Sequence, residues 1–161
     1  MSRCQLFARL PPQVTSLYSS SMVKKRKVRE LAMQVLFLWD TNGQQDTDQA
    51  RQYLNGGTED PDIRSQAMVM ANGAWSQRQM IDERVEKIAP QWPPRRQPVV
   101  DRNLIRLAVW ELTNVPTPPK VVIDEAIELA KEFSTEQSPA FVNGVLDAVL
   151  KEHRALLGEQ A

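Results

Sequence analysis

The chain is poor in the residues from which most enzyme sites and extracellular scaffolds are built. Of its 161 residues one is a cysteine, Cys4, and one is a histidine, His153. A lone cysteine excludes an internal disulfide framework. A structural zinc site takes about four Cys or His ligands and an open catalytic one about three, so one of each builds neither. A Ser-His or Cys-His catalytic arrangement is equally unsupported, and no cofactor is expected. Carboxylates are plentiful, so a magnesium site is not excluded by counting, but nothing in their spacing suggests one. There is also no apolar run of about 18 residues, the length that reads as a membrane-spanning helix. With a quarter of the residues charged, the expectation is a soluble, cytoplasmic protein without a membrane partner. The length suggests one domain or two small subdomains.

Acidic residues are missing from one end. Residues 1–29 hold seven basic groups (Arg3, Arg9, Lys24, Lys25, Arg26, Lys27 and Arg29) and no Asp or Glu, although the whole chain is neutral with 20 basic and 20 acidic residues. A basic end on a mildly acidic body suggests an anionic partner there and leaves the body able to receive a basic protein. A solvated tail would have the same composition.

Residues 1–21 are Ser-rich, contain Pro11-Pro12 and lack helical periodicity. They read either as an organellar transit peptide, which is Arg- and Ser-rich and poor in acids, or as a disordered or non-native extension before a true start at Met22. The second is preferred, because the segment holds only two arginines. The folded part is then 22–161.

From Lys24 to Asp40 the period is helical, with Val28, Leu31, Val35 and Leu38 widened by Ala32, Leu36 and Trp39. Its basic residues crowd the first two turns, where the helix dipole prefers anions; RNA phosphate would relieve that cost. Thr41-Asn42-Gly43 stops this helix. Residues 46–57 suggest a short helix. Asp60-Pro61 supplies a cap and a first-position proline for a helix running to about Ala89, with Gln77 as a gap in its apolar side. Pro90, Pro93, Pro94 and Pro98 cannot lie in a regular helix and predict a stiff connector. Helices are expected over Asp101–Leu112, Pro119–Phe133 and from Ser138-Pro139 onward, the serine as N-cap. The class is all-α, with helical subdomains over about 24–90 and 95–153.

Two linked segments carry a resemblance. Val122-Ile123-Asp124-Glu125-Ala126-Ile127-Glu128-Leu129-Ala130-Lys131-Glu132-Phe133 and Ser138-Pro139-Ala140-Phe141-Val142-Asn143-Gly144-Val145-Leu146-Asp147 are similar, in sequence and in spacing, to the signature of the NusB family. Asp101-Arg102-Asn103-Leu104-Ile105-Arg106 fits the preceding helix, with Trp92 and Arg96 at the usual distance before it. Arg29-Glu30-Leu31-Ala32-Met33-Gln34-Val35-Leu36-Phe37 and Trp39-Asp40 match in the first helix. The resemblance spans about residues 24–152.

The resemblance implies two packed three-helix bundles. It also implies a factor in transcription antitermination that pairs with the ribosomal protein NusE and binds boxA-type single-stranded RNA. That complex, with RNA polymerase and other Nus factors, acts especially on ribosomal RNA operons. Most matching residues are expected to be architectural: Phe141 and Val145 in the core, Gly144 allowing close helix approach, Asn143 bonding across helices, Glu125 and Glu128 at the surface or bridging. The candidate RNA contacts are Lys24, Lys25, Arg26, Lys27 and Arg29, with Phe37 and Phe141 either core residues or stacking platforms. Five phosphate contacts would give a slope of log affinity on log salt of about −3.5. NusE is expected on the second bundle and connector, at Asp101, Arg102 and Ile105; Asp101 would equally serve as a helix cap.

Two rivals remain. A NusB-like domain also begins some ribosomal RNA cytosine methyltransferases, which need a cofactor domain and a Gly-rich loop that this sequence does not show. A protein-only scaffold holding NusE would not use the basic segment.

Overall fold

The computed structural model describes residues 22–158; the extension expected over residues 1–21 lies outside them. Among the described residues seven α-helices follow one another: α1 Met22–Asn42, α2 Thr47–Gly57, α3 Pro61–Ser76, α4 Arg78–Ile88, α5 Val99–Asn114, α6 Pro119–Phe133 and α7 Ser138–Leu156, with a single 3-10 turn, Pro94–Arg96, in the Pro-rich connector. No strand occurs among the described residues.

Local chemistry sets the boundaries. α1 buries Val28, Leu31, Ala32, Val35, Leu36 and Trp39 and stops where Gly43 takes a positive φ of 71°, which glycine adopts without steric cost. The Asp46 side chain accepts from the Gln49 amide at the start of α2. Asp60 does the same for Asp62 at the start of α3, with Pro61 in the first turn.

The helix expected from Pro61 to about Ala89 is two helices that meet at Gln77 (φ −99°, ψ 3°). Side chains around the break satisfy backbone carbonyls. Ser76 Oγ donates to Gly73 O (2.8 Å) and Arg78 Nη1 to Trp75 O (2.8 Å), while the Arg78 guanidinium lies 4.1 Å over the Trp75 ring. The Gln77 amide pairs with that of Asn114 at the end of α5.

α5 is the axis of the molecule. Every residue from Asn103 to Leu112 is buried, as expected of a helix covered on all sides. It packs against α1, α3, α6 and α7, so the helices before and after the connector share one continuous core. Gly73 of α3 makes room for it: a Cβ there would stand 2.2 Å from the Trp110 indole.

Two expectations about α7 are corrected. Ser138 is the first helical residue rather than the cap, and Gln137 precedes it without a side-chain capping bond. The Ser138 hydroxyl is turned instead to the buried Asp101 carboxylate (2.8 Å). Gly144 does not allow a close helix approach, since a Cβ there would meet nothing within 4 Å. Asn143 beside it is also exposed.

Candidate nucleic-acid interface

The first turns of α1 present basic groups beside acidic neighbours. Lys24 Nζ lies 3.1 Å from Asp60 at the start of α3. Arg26 makes a two-pronged bond to Glu125 of α6, both contacts at 2.9 Å. Lys27 pairs with Glu30 at 3.0 Å. The hydrogen bond from Arg26, opposed by partial burial and reinforced by the Arg26 charge, holds the Glu125 carboxyl below its ordinary value. The bond from Lys24 does the same for Asp60. Lys25 is lowered, first by partial burial and then by the positive charge of Arg29.

Arg29 behaves differently from its neighbours. It is only 6% exposed and spends its guanidinium on Glu111 of α5, through Nε at 2.9 Å and Nη2 at 2.6 Å. Thr117 Oγ1 donates to the same carboxylate (3.0 Å). Burial works against the charge on Arg29, and the hydrogen bond and charge of Glu111 outweigh it, so its pKa is raised on balance. Four of the five expected basic residues, Lys24, Lys25, Arg26 and Lys27, thus reach the surface. The fifth braces α1 against α5.

The aromatic candidates line grooves to which that segment contributes no residue. Phe37 is thirteen residues after Lys24 on the same helix, about 20 Å along its axis at 1.5 Å per residue. It is half-exposed and lines an apolar groove of about 330 Å³ with Met33, Leu38, Tyr53, Val100 and Phe133. Tyr53 is anchored there by a 2.6 Å bond to Gln34. Phe141, expected in the core, is half-buried and lines a second groove of about 450 Å³ with Trp92 and Pro98.

The candidate protein contacts also divide. Ile105 is 1% exposed and lies in the core, and Asp101 is 2% exposed. Both Asp101 oxygens accept serine hydroxyls, from Ser134 at 2.5 Å and Ser138 at 2.8 Å. These two residues shape the surface from beneath. Arg102 is half-buried; it donates to Asp40 (2.8 Å) and to Pro94 O (3.0 Å), fastening the connector to α1. Asp40 also accepts from Asn103 (2.9 Å), and Arg106 reaches both Asp40 (3.2 Å) and Asp82 of α4.

Sequence reasoning missed Tyr53 and Trp92 as surface residues. The signal for Trp92 was present: a large aromatic inside a Pro-rich connector has no helix face on which to be buried. Among the described residues no group of three or more His, Cys, Asp or Glu side chains is placed to hold a metal ion. None of the described helices is long and apolar enough to cross a membrane.

Comparison with known proteins gives a consistent result. The profile of the NusB family matches residues 26–151. The chain is 41% identical over 133 residues to the transcription antitermination protein NusB of Solibacter usitatus, covering 81% of this chain and 91% of that one. It is 38% identical over 144 residues to the protein of the same name from Streptomyces avermitilis, covering 87% and 100%. Among solved structures it is similar to T. maritima NusB (TM-score 0.69, 35% identity, 79% of this chain and 90% of that one). It is also similar to a chain in the crystal structure of antitermination factors NusB and NusE in complex with dsRNA (TM-score 0.74, 28% identity, 82% and 99%). With its signature segments, its helical order and these relatives in agreement, the chain belongs to the NusB family.

Proposed function

We propose that this protein is a transcription antitermination factor that binds boxA-type single-stranded RNA together with ribosomal protein NusE, and so promotes transcription of ribosomal RNA operons by RNA polymerase with other Nus factors. It acts in the cytoplasm by binding alone and carries out no chemistry of its own. The observation that carries the RNA half is the start of α1. Lys24, Lys25, Arg26 and Lys27 follow one another there, with no acid in the first turn. Acidic side chains on α3 and α6 hold Lys24 and Arg26 where phosphates could replace them as partners. Positive charge at a helix N-terminus costs stability, and phosphate contacts recover it. Arg29 is left out of the contact set because Glu111 already satisfies it.

The protein half rests on the groove around Phe37 and Tyr53. Two half-exposed aromatics over an apolar floor suit the aromatic-rich centre of a protein interface. Phe37 is thereby assigned to NusE rather than to a base.

The test is binding of a boxA-like RNA with and without NusE. RNA-selective binding strengthened by NusE is the expected result. Binding of NusE with no RNA affinity under any condition would reduce the protein to a scaffold. Phe37→Ala should weaken NusE binding and leave RNA binding by the protein alone unchanged; the reverse pattern would overturn the assignment of this groove.

A further inference from the structure

The hairpin of α2 and α3 carries a face that neither the basic segment nor the Phe37 groove uses. α3 turns Ile63, Ala67, Met70, Ala71 and Ala74 into the core. Beside that stripe, Arg64 and Met68 stand one turn apart, with Val69 next to them. These three line a groove of about 320 Å³ against Arg51 and Leu54 of α2. Leu54 is buried, and Met68 and Val69 are partly buried, packed on the core from its outer side. The groove shares no residue with the one around Phe37. Its charge has one sign: Arg51 and Arg64 are its charged lining residues, and no carboxylate lines it. Arg64 Nη1 donates to Thr58 O (3.3 Å), and among the described residues no carboxylate pairs with Arg64. Arg51 pairs with Asp48 at 3.3 Å, but the two side chains are 67% and 88% exposed. Such a surface pair contributes little and gives way to a better-shielded carboxylate.

We propose that this groove docks a short acidic, amphipathic helix of a partner protein, with apolar side chains seated on Leu54, Met68 and Val69 and flanking carboxylates on Arg51 and Arg64. The inference goes beyond the RNA and NusE reading, since it adds a partner that sits on the protein together with both. A groove between two helices suits a third helix whose anchors recur at three- and four-residue spacing. The arginine fork matches a carboxylate with two parallel bonds. The groove's charge and its apolar floor together select that chemistry. RNA fits less well, because no aromatic side chain lines the groove and single-stranded RNA is held largely by stacking on aromatics.

The experiment selects from a displayed library of helical peptides on the full chain. Four library positions at i, i+3, i+4 and i+7 spacing vary among Leu, Met and Ser, and the flanking positions vary among Glu, Lys and Gln. Selection runs in parallel on a variant carrying Arg51→Glu and Arg64→Glu. Peptides retained by the wild type and lost from the variant are expected to carry Glu at the flanks and Leu or Met at the anchors. A synthetic copy of such a peptide should bind the single variants Arg51→Glu and Arg64→Glu each roughly 10-fold or more weaker than wild type, the range of one lost charged hydrogen bond. Met68→Ser should weaken it as well. NusE and a boxA-like RNA should leave the peptide in place, and the double variant should bind both of them as the wild type does.

The proposal is overturned if no peptide is retained, if retained peptides bind wild type and double variant equally, or if they show no preference for Glu over Lys. Displacement of the peptide by NusE would assign the groove to that protein and also overturn it. Displacement by RNA, with RNA binding lost in the double variant, would make the two arginines phosphate contacts and overturn it likewise. None of these outcomes touches the reading of the basic start of α1, which is tested without these residues. Arg51 is exposed, so Arg51→Glu keeps the test valid if melting shows a folding defect in the Met68 or Arg64 variants.

Discussion

Arg29 and Glu111 form a buried, two-pronged ion pair at 2.6 and 2.9 Å, joining the basic end of α1 to the central helix. An arginine that closes a sequence run of basic residues is therefore part of the frame. Removing one partner leaves the other charge buried and unpaired, which typically costs about 3–5 kcal/mol. Glu111→Ala should destabilise the fold by an amount of that order in urea denaturation. Replacing both residues by apolar side chains of similar volume should recover most of the loss. Equal, small effects of the single and double changes would contradict the buried pair.

The two mid-helix glycines should respond in opposite directions. Gly144 has open space around its Cβ position and helical neighbours on either side, so Gly144→Ala should stabilise by up to about 1 kcal/mol. At Gly73 the same change places a carbon 2.2 Å from Trp110, and overpacking of this kind costs about 1–3 kcal/mol or more. Thermal midpoints of the two variants should move up and down respectively. A destabilised Gly144→Ala protein would mean that something in the fold approaches that face closely.

These contrasts show what was legible in the sequence and what was not. Helix periods, the Asp60-Pro61 start and the Pro-rich connector are local signals, and local chemistry decided them. At the break the Gln77 amide meets Asn114 of α5, far away in sequence, and no local pattern carries that contact. The burial of Arg29 was partly readable. It lies three residues before Ala32 and seven before Leu36, on the stripe that faces the core, but the basic run around it pointed outward. Asp101 read as a surface acid because its partners, Ser134 and Ser138, come more than thirty residues later. Asn143 and Gly144 belong to the segment that identifies the family, yet they lie exposed. A signature does not say which of its residues face inward.

Glu125 gives the fold an acid-sensitive tie. Its pKa lies below the ordinary 4.5, chiefly through the hydrogen bond from Arg26. A carboxyl depressed in the folded state contributes stability above its unfolded pKa and loses it as pH falls through the folded one. The Arg26–Glu125 contribution should therefore be whole at neutral pH and fade below 4.5. Glu125→Gln should be less stable than wild type at pH 7, with the gap narrowing toward pH 3. A gap independent of pH would show that the pair does not contribute through charge.

The central claim is that the exposed start of α1 carries the RNA phosphates. The most direct test is a salt titration of boxA-like RNA binding in the presence of NusE, comparing wild type with a variant carrying Lys24→Ala, Lys25→Ala, Arg26→Ala and Lys27→Ala together. Single-stranded RNA loses about 0.7 in slope per phosphate contact, so the four groups account for a difference in log–log slope of about 2.8 if all are engaged. The account predicts a variant with weaker RNA binding, a slope shallower by up to that amount and undiminished binding of NusE. An unchanged affinity and slope would contradict it.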